Sequence, residues 1–177
     1  MDRPRVSAFL GASLDGFIAE ADGGLGFLKP FEQEEHGYAA FYASVDTLLM
    51  GRKTYQTVLG FGAWPFGDRR VAVLTRNART PRFNERFLSG EPAEVLAALA
   101  EDGTRHVYAD GGEVVTGFLA GGLLDSLTLS IVPVLLGTGI RLFAGNPGRH
   151  GLTLESARTL PSGVVQLRYL LAAAARG

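Results

Sequence analysis

No cysteine occurs in the 177 residues, which excludes disulfides, thiolate metal sites and a cysteine nucleophile. That composition fits a reducing compartment, and a cytoplasmic protein is expected. Neither sign of charge dominates: 17 Lys and Arg stand against 18 Asp and Glu, a formal net charge of -1 with a pI near 6.3. The whole-domain excess of positive charge that marks many nucleic-acid binders is therefore missing. No apolar run approaches the roughly 18 residues of a membrane-spanning helix. The start, basic and then apolar from Val6 to Ala12, imitates a secretory leader, but Asp15 interrupts it within a turn-like Ser13-Leu14-Asp15-Gly16. Glycine and proline, 24 and 8 residues, fall short of low-complexity levels, so the main state is folded. A chain of this length buries roughly 70% of the surface its unfolded form exposes, and one domain over residues 1–177 is expected.

Apolar runs of strand length alternate with helix-length segments. The spacing predicts strands at about Val6–Ala12, Asp46–Met50, Arg70–Thr75, Arg105–Ala109, Ser126–Leu136, Thr153–Thr159 and Val164–Leu171. Helices are predicted over Glu32–Ser44, Lys53–Leu59, Pro92–Glu101 and Glu113–Ala120, with Pro92 at a first-turn position where its missing N–H costs nothing. Runs such as Thr47-Leu48-Leu49-Met50 suit strands buried on both faces, as in parallel sheets. After Gly121 helical periodicity ends, and Pro161-Ser162-Gly163 reads as a hairpin turn. The predicted fold class is α/β, a mainly parallel central sheet with an antiparallel C-terminal hairpin. Leu170–Ala175 reads as a strand end running into a frayed tail. The long irregular stretches Ser13–Phe31 and Gly60–Arg69 are of the kind that carries function.

Four segments place glycine or hydroxyl and charged residues at predicted strand ends, where open α/β sheets bind ligands. Gly51-Arg52-Lys53-Thr54 opens a helix and joins free N–H groups, two cations and a hydroxyl, the chemistry of an anion site. The same four residues also suit an ordinary strand-to-helix turn with solvated charges. Asp110-Gly111-Gly112-Glu113 would let a pyrophosphate approach the backbone, or would be a turn that requires positive φ. Thr75-Arg76 pairs a hydroxyl with a guanidinium suited to phosphate, or is plain surface. Ser13 to Ala19 offers an apolar surface for a flat ring and one carboxylate, Asp15, which also reads as a turn residue. The Walker and Rossmann glycine patterns are both absent. Trp64-Pro65-Phe66 would either stack on a heterocycle or tuck onto the core.

Taken in order, Ser13-Leu-Asp-Gly16, Asp46-Thr-Leu-Leu-Met-Gly-Arg-Lys-Thr-Tyr55, Val71-Ala-Val-Leu-Thr-Arg76, Val107-Tyr-Ala-Asp-Gly-Gly112 and Pro133-Val-Leu-Leu-Gly-Thr-Gly139 with Leu142-Phe143 resemble the dihydrofolate reductase-like superfamily. Within it they are similar to the reductase domain at the C-terminus of the bifunctional riboflavin-biosynthesis deaminase/reductase. The resemblance spans about residues 5 to 171 and implies a three-layer α/β/α fold and an NADPH-dependent reductase. It implies that Gly51, Arg52, Lys53 and Thr54 hold the pyrophosphate and ribose phosphate side. Thr75 and Arg76 would meet the adenosine 2′-phosphate, and Gly111 and Gly112, with Glu113 and Val114 following, would back the pyrophosphate. Gly11, Ile18 and Ala19 would line the nicotinamide. No metal is implied, and a homodimer through the C-terminal strands is.

For the proton, the resemblance implies a carboxylate on the first helix, and ungapped counting back from Met50 lands on Glu35. A helix over Glu32–Ser44 would put Glu35 on one face with Tyr38 and Tyr42. Acidic residues also crowd first turns because the helix dipole favours them, and Asp15 stands as the other carboxylate. The expected substrate is a small heterocycle, pterin- or pyrimidinone-like. The alternatives are 5-amino-6-(5-phosphoribosylamino)uracil, whose phosphate asks for a second basic site for which the dispersed Arg141, Arg149 and His150 argue only weakly, and a nucleotide-binding module without turnover. Specificity would lie in Gly23–Phe31 and Phe61–Phe66.

Overall fold

The computed structural model describes residues 3–77, 80–145 and 147–171. The strands β1 (Arg5–Ser13), β3 (Thr47–Gly51), β4 (Arg70–Leu74), β5 (Glu85–Leu88), β6 (His106–Asp110), β7 (Ser126–Val132), β9 (Leu152–Thr159) and β10 (Val165–Leu171) form one sheet. Its order is β5-β4-β3-β6-β1-β7-β10-β9. The first six strands in that order pair in parallel, and β10 and β9 add antiparallel at the far edge. The fold is thus α/β, a mostly parallel sheet closed by an antiparallel hairpin.

Strand periodicity sorts the apolar side chains onto two faces. Leu49, Ala72, Val107 and Ala109 join Val6, Ala8 and Leu10 beneath helices α3 (Pro92–Glu101) and α4 (Gly112–Ala120). Their neighbours Leu48, Met50, Val71, Val73 and Tyr108 pack on the other face, with Tyr55 and Val58 of α2 (Arg52–Leu59) and with Phe41 and Tyr42 of α1 (Tyr38–Ser44). Burial on both sides explains the unbroken apolar runs of the central strands. At the start of α3, Glu91 and Glu94 form a capping box around Pro92, as the proline position requires.

Several boundaries differ from the sequence reading. The helix predicted over Glu32–Ser44 starts only at Tyr38. Gly37 has φ 78, a left-handed backbone that stops helix propagation, and the residues before it form a 3-10 turn (Gly26–Phe31) and bends. β7 ends at Val132 instead of Leu136, because Pro133 has no N–H and the chain turns so that Leu14 N–H donates to Val134 O at 2.8 Å. The sheet also contains β5, a four-residue edge strand with little apolar pattern to betray it. A two-stranded ribbon pairs β2 (Phe17–Ala19), inside the stretch Ser13–Phe31 expected to be irregular, with β8 (Ile140–Arg141), which no predicted strand covered. The predicted tail beyond Leu171 lies outside the described residues. No helix among the described residues is long and apolar enough to cross a membrane.

Candidate active site

The chain leaves β1, climbs through β3 to β5, returns between β3 and β1 as β6, and then continues on the far side of β1 as β7. Such a reversal opens a crevice at the carboxyl ends of the strands. A cavity of about 670 Å³ lies there. Gly11 of β1, Gly51 of β3, Asp110 of β6 and Val132 of β7 all reach its wall.

One wall is built from two helix N-termini. β3 and β6 are hydrogen-bonded neighbours, with Met50 opposite Asp110, so α2 and α4 start side by side. Their N-caps are Gly51 and Gly111, and neither supplies a side-chain cap. The first-turn N–H groups and the positive ends of both helix dipoles therefore converge on the cavity. Gly111 holds φ 91, which only glycine adopts without strain, and a Cβ there would collide with Thr54 Oγ1. Lys53 Nζ bridges the two helices to Glu113 Oε1 at 2.6 Å, both side chains well exposed. Pairs of that kind are worth about 0–1 kcal/mol and are readily exchanged for a better anion.

Of the residues singled out in the sequence, Gly51, Lys53, Thr54, Gly111, Gly112, Glu113 and Val114 share this wall, and Gly11, Ile18 and Ala19 line the same cavity, with Ile18 packed close to Gly112. Arg52 turns toward Gln56, and Thr75 and Arg76 lie beyond the cavity lining. Gly51 pairs with Leu74 in the register of β3 and β4, so Arg76 follows on the same sheet edge, exposed to solvent. Gly112 faces a different constraint from the one its motif suggests. A Cβ there would stand 2.8 Å from Leu142 O and 2.9 Å from Arg141 O, so the glycine is demanded by backbone packing whether or not a ligand is present.

Neither carboxylate chosen from the sequence lines the cavity. Glu35 is exposed, ahead of the helix that was to carry it; its Oε1 accepts the Gly37 N–H at 2.6 Å, which corrects the expected helical face with Tyr38 and Tyr42. Asp15 is a clamp. Its carboxylate accepts from Ser13 Oγ at 2.7 Å, Leu136 N at 3.1 Å and Gly137 N at 2.7 Å, tying the turn after β1 to the turn after β7. The Ser13 hydroxyl above all holds its pKa down at about 2, against the cost of desolvation. A group so acidic carries no proton to give near neutrality.

Asp110, which the sequence reading passed over as part of a glycine turn, has the opposite character. Burial pushes its pKa up to about 6, and the Gly111 N–H offsets only part of that. It lies beneath an aromatic cluster in which Tyr38 and Tyr108 rings are 6.2 Å apart and Tyr108 Oη donates to Phe9 O at 2.9 Å. Burial, and then the nearby Asp110, raise the Tyr38 hydroxyl to about 12. The sequence signal for Asp110 was a carboxylate directly ending the buried run Val107-Tyr108-Ala109. The loop expected to do one thing divides its work: Trp64 stacks on Phe83 at 4.6 Å and donates to Asn84 Oδ1 at 3.0 Å, whereas Pro65 and Phe66 reach the cavity.

A mainly parallel sheet of this order with a cavity at its carboxyl edge defines a dihydrofolate reductase-like α/β protein. Structures with that fold include a dihydrofolate reductase from Enterococcus faecalis complexed with NADP(H), at TM-score 0.67 and 17% identity over 94% of this chain and 96% of that one. The match is closer for a protein of Shewanella sp. PV-4 assigned by name to riboflavin biosynthesis, at TM-score 0.87 and 28% identity over 95% and 99% of the two chains. Residues 4–166 match the model of the RibD C-terminal domain, and the chain belongs to that family. It is 32% identical to the uncharacterized protein YwjB of Bacillus subtilis (strain 168) over 97% of this chain and all of the relative. Against the bifunctional deaminase/reductase of Thermotoga maritima, at TM-score 0.70 and 13% identity, it spans 57% of the longer chain. Family and neighbours support a reductase-type protein.

Proposed function

We propose that the chain is an NADPH-dependent reductase acting on a polarised C=N or C=O bond of a small heterocycle. The observation that carries this reading is the pair of glycine-capped helix N-termini, side by side in the wall of an otherwise largely apolar cavity. Converging N–H groups and dipoles suit a pyrophosphate, and the apolar remainder suits two stacked flat rings. Gly51, Thr54, Gly111 and the first turn of α4 would hold the pyrophosphate, with Arg52 and Lys53 beside it and Thr75 and Arg76 at the 2′-phosphate. Gly11, Ile18 and Ala19 would face the nicotinamide. When bound, NADPH supplies hydride; the chain's own residues orient the rings and exclude water.

Proton supply falls to Asp110 in this reading, since a carboxyl with a pKa of about 6 holds its proton over part of the working range and lies on the cavity wall. The family resemblance also supports a homodimer through β9 and β10. β9 is an edge strand exposed along its whole length, with Leu152 and Leu154 42% and 52% exposed. Such an edge is commonly paired or covered.

The test is to titrate purified protein with NADPH and then add a panel of pterins, pyrimidinones and quinoid dyes, following loss of NADPH absorbance. Binding with oxidation supports the reductase. Binding without oxidation of any panel member favours a nucleotide-binding module, and absence of binding removes the reading.

A further inference from the structure

Resting on the reductase reading, we infer that the substrate half of the cavity takes a flat ring system that is neutral or cationic and carries no phosphate. Away from the two helix N-termini, the walls are Phe9, Leu28, Phe31, Tyr38, Phe66 and Val132. The ionisable side chains there are Glu32, His36, Tyr38 and Tyr108, with Asp110 at the border beside the N-cap of α4. The sole lysine or arginine on the cavity lining among the described residues is Lys53. It stands on the α2 side and is already paired with Glu113.

The arginines close behind the walls are committed elsewhere. Arg69 lies 4.1 Å from the centre of the Tyr42 ring and donates to Val45 O. Arg158 donates from Nε to Gln166 Oε1 at 2.8 Å and from Nη2 to Glu35 O at 3.2 Å. The segment 26–37, which lends Leu28, Phe31, Glu32 and His36 to the lining, carries Glu32, Glu34 and Glu35 against the single Lys29, with Glu34 bound to Ser162 and Glu35 to the Gly37 N–H. A phosphate dianion on this side would lose water without gaining a lysine or arginine, since the His36 ring on the lining already donates from Nε2 to Phe31 O, and it would sit in the field of Glu32 and Asp110. Both losses are absent for a neutral ring, and both carboxyl groups accept hydrogen bonds from ring N–H or amino groups.

The experiment uses two pairs of flat probes that differ only in a phosphate: riboflavin with flavin mononucleotide, and guanosine with guanosine 5′-monophosphate. Each is titrated by fluorescence or calorimetry into protein saturated with NADP+, and again into protein without it. The expected result is that each phosphorylated member binds at least tenfold more weakly than its partner, a gap that narrows in Glu32→Arg. With NADP+ bound, equal or tighter binding of the phosphorylated member in either pair overturns the inference, as does failure of all four probes to bind at millimolar concentration; without NADP+, a gain confined to the phosphorylated members reports the helix N-termini and supports the assignment of the anion site to that wall. NADP+ binding is read separately, so a chain that discriminates the probes but ignores NADP+ sinks the reductase reading and leaves the charge preference standing.

Discussion

Arg76 and Asp110 carry the reading at the scale of single residues. NADPH differs from NADH by a 2′-phosphate, so discrimination requires a cation at that position, and the planar guanidinium of Arg76 can meet two phosphate oxygens. A charge-assisted hydrogen bond contributes about 1.5–3 kcal/mol, and Arg76→Ala is expected to weaken NADPH binding roughly ten- to a hundredfold while NADH binding hardly changes. Paired titrations at two salt concentrations check this; equal losses for both cofactors would remove Arg76 from the 2′-phosphate. For Asp110, the raised pKa means that the protonated, donating form is lost as pH rises through about 6. Turnover should fall above that pH, and Asp110→Asn should lower it on the order of 10²-fold and abolish that limb of the profile. An unchanged limb in Asp110→Asn would assign the proton to another group. Burial of the charged form also opposes folding, so Asp110→Asn should melt at least as high as the wild type at pH 8.

At the scale of elements, the turns after β1 and β7 matter because Asp15 fastens one to the other. Its folded pKa of about 2 lies below the ordinary aspartate value, so its contribution to stability is present above about pH 4 and fades as pH falls through about 2. Asp15→Asn is therefore expected to lower the melting temperature at pH 7 and to converge on the wild type in strong acid. Identical melting curves at pH 7 would show that the clamp is dispensable. The β6–α4 turn calls for a different experiment from the one its glycines suggest. Gly112→Val would push against the carbonyls of Arg141 and Leu142, so lost cofactor binding in that variant would report damaged packing rather than a blocked ligand.

At the scale of the whole molecule, the eight-stranded sheet has two edges of unequal character. β5 is short, whereas β9 offers eight exposed residues for pairing or packing with a second copy. If β9 and β10 form the dimer, Leu154→Lys should convert it to a monomer with little change in helix content, as read by light scattering and circular dichroism. A wild-type chain that is monomeric at micromolar concentration would refute the assembly.

Alternating burial on two faces made the central strands legible, since Leu48 and Leu49 must be apolar whichever helix covers them, and strand-end glycines marked where α2 and α4 begin. Pro92 announced α3 through its fixed φ. The sequence by itself therefore determined the central parallel strands, the helices α2 to α4 and the carboxyl edge where their glycines lie, because these follow from periodicity and backbone chemistry, whereas the short β2, β5 and β8 carry too little periodicity to be read. Tertiary structure alone decided which carboxylates are held ionised and which are desolvated, because a pKa depends on what surrounds the group. Asp15 meets three donors drawn partly from residues far along the chain, Glu35 is turned outward by a left-handed glycine, and Asp110 is desolvated at the end of a buried strand. None of those surroundings is local in sequence.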